Sequence, residues 1–348
     1  MPQTLGVTIS ATNAFTASAT VNTDIERYGF ITQIPIMLEA QYDNSGSPTV
    51  YSDAFARVLD NVRVQGGGRI FADIPAIDLH FMNRMDMGSG YKFPDVIKTT
   101  TNNLTNDVPF MLNFNNDPSR IYAPIDGKGG PVIGIPANKL TTLQANIGWG
   151  STAAMAGSVC VVDTATLARL APRRISDYEA PVGNRYYPAI STETYTIAAT
   201  QTNFGKTFNA PVGKIVKRAL VFVFDNTAPM IRDNTRVTRI ALITPKDGNA
   251  HRFELTWEEF QQLTNDEYPG SFDTSYDLIS VNDAIGGLYF DGVGCFDFRK
   301  LAMAPGLPII NGLGADLRGL AEGDLKIGVN IGTGNGTIHV VWDCLEAY

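Results

Sequence analysis

Three histidines, His80, His251 and His339, and three cysteines, Cys160, Cys295 and Cys344, are the residues best suited to nucleophilic or metal chemistry. Their spacing serves neither. Zinc sites draw ligands from tight repeats such as Cys-x-x-Cys or from histidines one helical turn apart, and these six stand singly. The spacing predicts no metal site. An odd, widely spaced cysteine set also fits no disulfide framework, and it reads as buried thiols in a reducing cytoplasm. His339, inside an apolar run, is expected to be a packed or hydrogen-bonded core residue.

The run Ile331-Gly-Thr-Gly-Asn-Gly336 has the look of a phosphate-binding loop, but such a loop must feed a helix whose N-terminus meets the phosphate. Here the β-type Thr337-Ile-His-Val-Val-Trp342 follows, so a hairpin turn is expected and no cofactor. Asp273, Asp277 and Asp283 could offer a hard cation several oxygens. Without EF-hand spacing they read as turn formers, because Asp is a favoured turn residue. Glycan hydrolysis would need two carboxylates facing one another across a cleft. Asp60, Glu254, Glu258 and Glu259 are present, but nothing in their spacing sets one pair apart, and no catalytic residue is assigned. Asn103-Leu-Thr and Asn335-Gly-Thr are formal glycosylation sequons that read as polar loops.

The chain that must position such residues has 348 of them, 44% hydrophobic and 18% charged, enough apolar material for two folded domains. Its formal net charge of −8 argues against a protein whose main task is gripping nucleic acid, which needs clustered Lys and Arg. Arg173-Arg174 is the densest basic pair and reads as a solvated connector. The start lacks the basic and apolar stretches of a signal peptide, and no apolar run nears the ~20 residues of a membrane helix. Synthesis in the cytosol is expected.

Short β-type segments separated by Gly, Pro, Asn and Asp dominate. In 30–41, Ile34, Ile36, Leu38 and Ala40 alternate with Gln33, Pro35, Met37 and Glu39, giving one apolar face. Further strands are predicted at 57–64, 159–163, 214–224, 237–244 and 337–342, a spacing that suits a sandwich or barrel. Two helices announce themselves. Thr256-Trp-Glu-Glu259 is a capping box followed by Phe260 and Leu263, and Pro75 precedes Ile77 and Phe81 at helical spacing.

Both halves carry the same events in the same order. Apolar strands close on Asp43-Asn44 and Asp225-Asn226, shifted by 182; strand-helix units start at Arg69 and Arg252, shifted by 183. Asn-Ile-Gly recurs at 146–148 and 330–332, shifted by 184, and Val161-Val-Asp163 and Val341-Trp-Asp343 are shifted by 180. The offsets predict a duplicated domain, each copy a complete fold with its own core. The fold class expected is all-β, two tandem eight-stranded jelly-roll sandwiches with short helices. Residues 1–22 would form an arm and first strand near 15–21, 23–165 the first jelly roll, 166–189 a linker with a short helix, and 190–348 the second.

On these residues, above all Tyr28-Gly-Phe-Ile-Thr-Gln-Ile-Pro-Ile-Met-Leu38 and Phe55-Ala-Arg-Val-Leu-Asp-Asn-Val-Arg-Val-Gln-Gly-Gly-Gly68, the chain resembles the double jelly-roll major capsid proteins of tailless icosahedral viruses, especially bacterial ones. The resemblance is one of pattern over most of the chain. It implies a homotrimer whose six jelly rolls make a pseudo-hexagonal capsomer of a virion shell, contacting neighbouring capsomers, penton and minor capsid proteins. It also implies an internal membrane in shells that enclose one, and no sequence-specific nucleic acid. Two other readings stand beside it: a two-domain jelly-roll protein that binds or hydrolyses glycans, and a viral spike or minor capsid component.

Overall fold

In the computed structural model the alternation of 30–41 becomes a long strand with a buried row. Ile34, Ile36 and Leu38 are buried, and each lies across from a buried partner, Leu112, Phe110 and Val108. Each such side chain removed from water contributes about 1.5–3 kcal/mol before the entropy of ordering is subtracted. The structure describes residues 3–5, 13–44, 54–87, 104–114, 133–151, 160–175, 186–226, 231–246, 249–268, 292–300, 307–310 and 313–347.

The chain divides into two units, one running to Tyr187 and one formed by Pro188–Pro269 and Phe290–Tyr348. The first contains β1 (Gln3–Leu5), β2 (Asn13–Ala14), β3 (Thr20–Asp24), β4 (Phe30–Asn44), β5 (Leu59–Gly66), β6 (Arg69–Pro75), α1 (Ala76–Met87), β7 (Leu104–Asn113), β8 (Ile135–Pro136), β9 (Gln144–Trp149), β10 (Cys160–Leu170) and β11 (Arg173–Ile175). One sheet runs β2-β10-β4-β7, with β11 and β8 flanking the start of β4 and β1 added outside β11. The facing sheet runs β3-β9-β5-β6, where Val62 and Val64 lie across from Ile147 and Ala145, all buried.

From β12 (Tyr186–Ile197) onward the second unit holds β13 (Gln201–Asn209), β14 (Ile215–Asp225), β15 (Ile231–Arg232), β16 (Val237–Lys246), β17 (Asn249–Thr256), α2 (Trp257–Glu267), β18 (Val293–Asp297), β19 (Ile309–Ile310), β20 (Gly314–Asp316), β21 (Lys326–Ile331) and β22 (Gly336–Ala347). Its sheets run β12-β22-β14-β18 and β13-β21-β16-β17. Strand for strand this is the order of the first unit, with a helix before the last strand of the first sheet in both. Each unit is an eight-stranded jelly roll.

The core of the second jelly roll pairs Ala219, Val221 and Val223 with Trp342, Val340 and Ile338 across β14 and β22, facing Ile240, Leu242, Ile327 and Val329. The opposite face of β14 is buried too, through Leu220, Phe222 and Phe224, which is why 215–224 reads as a nearly continuous apolar run. α2 begins at the expected capping box: Thr256 Oγ1 accepts the Glu259 N–H at 3.2 Å and the Glu259 carboxylate accepts the Thr256 N–H at 2.7 Å. Phe260 is buried in the core and Leu263 packs against it.

The repeat is real in topology but differs from the sequence matches in register. A bulge falls between Leu59 and Asn61 on β5 and between Val237 and Arg239 on β16, opposite Trp149 and Ile331 respectively. Superposing the bulges shifts β5 onto β16 by 237 − 59 = 178 and β9 onto β21 by 331 − 149 = 182. The two Asn-Ile-Gly runs, 184 apart, are therefore two residues out of step, a slip that keeps every side chain on its face because strands have period two. Asp163 falls at a bulge near Gln41 and Tyr42, whereas Asp343 lies across from Arg218, so these two aspartates are not equivalent.

Three local expectations also change. The segment expected as a helical linker contributes 166–170 to β10 and 173–175 to β11, because its alternating residues find a ladder on β4 and β2. The first strand predicted over 15–21 becomes β2 and β3 with a turn between them. The glycine run after β21 does lead into a strand, but β21 and β22 belong to different sheets, so it is a crossover turn rather than a hairpin.

Candidate functional site

The chemistry-bearing side chains that the fold gathers centre on β14, an apolar strand up to its closing Asp225 except for Lys217 and Arg218. In the β14–β22 ladder Val216 faces Cys344 and Arg218 faces Asp343, leaving Lys217 as the extra residue of a bulge. A bulge sets two residues against one, which is how adjacent cations both reach a single carboxylate. Arg218 Nε donates to Asp343 Oδ2 at 3.0 Å, and Lys217 Nζ sits 2.8 Å from Asp343 Oδ1. All three residues are at most 1% exposed.

On the other side of β14, Arg218 lies across from Asp297 of β18, which is fully buried. Arg299, two residues on, folds back and grips the Asp297 carboxylate with Nε at 2.9 Å and Nη2 at 2.7 Å. Tyr268, just beyond α2, donates its hydroxyl to the same carboxylate at 2.6 Å. Burial alone would raise the Asp297 pKa, but the Arg299 hydrogen bonds and charge, with Tyr268, overcome it and hold the carboxyl at about 2. Burial works on Asp343 in the same sense and is likewise outweighed by Lys217 and Arg218, leaving it below the usual carboxylate range.

Such a cluster is costly to build and costlier to break. Desolvating each ion costs several kcal/mol, which the mutual attraction offsets only when every partner is in place. Chemically the cluster holds its two carboxylates with its own cations and the Tyr268 hydroxyl. It ties the strand of the first sheet that carries α2's contacts to the central β14 and to the final strand.

The sequence-flagged residues are not brought together. His80 is buried on α1, edge-on to Phe81 at 5.1 Å, and His339 is buried on β22 with its ring 5.0 Å from Phe224. The side chain of His251 lies outside the described residues, as do the side chain of Cys160 and all of Asp273, Asp277, Asp283 and Asn103. Cys295 and Cys344 are buried free thiols, and burial pushes Cys344 up to about 12. Among the described residues no cluster of three or more metal-ligating side chains occurs.

Glu254 pairs with Arg239 at 3.1 Å and Glu259 is spent on the capping box. Asp60 is exposed on β5 in the first jelly roll, and Glu258 is exposed in the first turn of α2. Arg174 corrects the solvated reading of the Arg pair. It is fully buried, donates Nη1 to the Tyr28 carbonyl at 2.8 Å, and lies 4.2 Å over the Tyr28 ring. β11 packs it between β1 and β4, an environment that a local charge count does not reveal.

No protein-family model matches the chain, and no curated protein matches its sequence. Solved structures do match, end to end. The STIV MCP, the major capsid protein of Sulfolobus turreted icosahedral virus, superposes with a TM-score of 0.69 at 15% identity, covering 100% of this chain and 97% of that one. A chain of the atomic structure of Sulfolobus turreted icosahedral virus gives 0.71 at 16% identity, covering 99% and 91%. The chain has the double jelly-roll fold of viral capsid proteins. The PBCV-1 virus capsid is a more distant match, 0.55 at 10% identity over 99% of this chain and 96% of that one.

This double jelly-roll chain carries its buried charge cluster in the second copy, where β14 has Lys217 and Arg218. Charges inside otherwise apolar strands must be paired, so Lys217, Arg218 and Asp343 were a readable signal of such a cluster. Sequence reasoning missed it because nothing local says which strands become neighbours.

Proposed function

We propose that the chain is the major capsid protein of an icosahedral virion, a structural protein with no catalytic step of its own. The observation that carries this reading is the same eight-stranded order appearing twice in one chain, matched over nearly the full length of chains from viral capsids. Two similar jelly rolls per chain let three copies fill a six-sided lattice position while the two halves diverge at contacts that differ.

The tile is a homotrimer that meets neighbouring capsomers along broad edges of the size stable assemblies need, with penton and minor capsid proteins completing the shell. The net charge of −8 suits a shell that leaves the genome to other components, including an internal membrane where one is present. Purified particles in which this chain is the most abundant protein, and in which three-fold tiles appear by electron microscopy, are the expected result. A chain found only at a few positions per particle would instead mark a spike or minor component.

A further inference from the structure

Glu267 closes α2 at the end where a helix exposes unpaired carbonyls and a partial negative charge, an unfavourable place for an anion. One of its carboxyl oxygens, Oε2, is buried with no hydrogen-bond partner. The backbone N–H of Asp297 donates to the carboxyl, and the Asp297 carboxylate stands beside it, already held by Arg299 and Tyr268.

The nearby cations are engaged elsewhere. Arg299 is committed to Asp297, and Lys300 Nζ donates to the Glu267 main-chain carbonyl and sits 3.7 Å over the Tyr268 ring. The remaining titratable neighbour, the Cys295 thiol of β18, is buried and neutral. Burial, then the Asp297 charge, favour a protonated carboxyl, and together they outweigh the Lys300 and Arg299 charges and the Asp297 N–H, which favour the ionised form.

We infer that Glu267 is a proton-operated latch: as a neutral acid it lets the last turn of α2 rest against β18, and as a carboxylate it pushes that turn away from Asp297. The inference concerns the second jelly roll alone and stands whether or not the chain builds a shell.

The sign follows from linkage. In the open turn Glu267 ionises near the ordinary 4.5, and in the closed turn only at about 8. Between those values the open form sheds a proton that the closed form keeps, so opening becomes about tenfold easier per pH unit and levels off above the upper value. The latch is tight on the acid side and slack on the alkaline side.

Hydrogen exchange on the full chain at pH 5.5 and 7.5, corrected for the intrinsic pH dependence, tests this on peptides covering 257–268 and 292–300. Wild type is expected to open more than about tenfold further at pH 7.5, and E267Q, which cannot ionise, is expected to show no such rise. An equal rise in both proteins, or none in wild type, would overturn the latch. If E267Q fails to fold, carboxyl-13C NMR of glutamate-labelled wild type decides: one glutamate titrating near 8 supports the latch, and all titrating below about 5.5 sink it.

Discussion

Asp343 lies directly across the β14–β22 ladder from Arg218 and accepts its Nε–H at 3.0 Å, out of reach of water. Because Lys217 shares the same carboxylate, removing it strands two buried cations at once. Asp343→Ala should destabilise the second jelly roll by about 3–5 kcal/mol, the usual cost of breaking a buried pair. Urea unfolding of the variant checks this. A loss below about 1 kcal/mol would mean that the pair is solvated and worth no more than a surface bridge.

Asp297 makes the fold acid-sensitive. Its carboxyl titrates at about 2 instead of the ordinary 3.8, so its contribution is present above 3.8 and is lost as pH falls towards 2. The stability gap between wild type and Asp297→Asn should therefore narrow by about 2 kcal/mol between pH 5 and pH 2. A gap that does not change with pH would show that Asp297 is not held ionised by Arg299.

Gly294 on β18 leaves room for the Phe260 ring, which a Cβ at that position would strike. Gly294→Ala should cost about 1–3 kcal/mol by forcing α2 off the sheet. Adding Phe260→Leu, which removes the struck ring atoms, should recover part of that loss. Thermal unfolding of the single and double variants separates a steric clash from a general dislike of alanine in the strand.

The α2 cap offers a smaller and cleaner test. Thr256→Ala removes the hydroxyl that accepts the Glu259 N–H and should cost about 1 kcal/mol, whereas Thr256→Ser should cost much less. Equal losses from both substitutions would place the effect in lost packing of the threonine methyl.

What could be read from the sequence was what local rules determine. The alternation of Ile34, Ile36 and Leu38 and the Thr256 capping box appear where expected, since period-two patterning and N-cap chemistry act within a few residues. The repeat was legible as order but not as register, because bulges at β5 and β16 are set by ladder partners far along the chain. Arg174 was misread for the same reason: its burial depends on β1, β4 and the Tyr28 turn, which converge on it from more than 140 residues away. The charge cluster needs three strands to meet, and Lys217 and Arg218 inside one apolar run, with Asp343 inside another, hinted at it.

The central claim is that this chain is a shell tile, and its native mass tests that most directly. Light scattering of the purified protein, with electron microscopy of the same fractions, should give a stable species of three times the chain's 37.7 kDa with six-sided outlines, or closed shells. A clean monomer that forms neither trimers nor shells at any concentration would contradict the account.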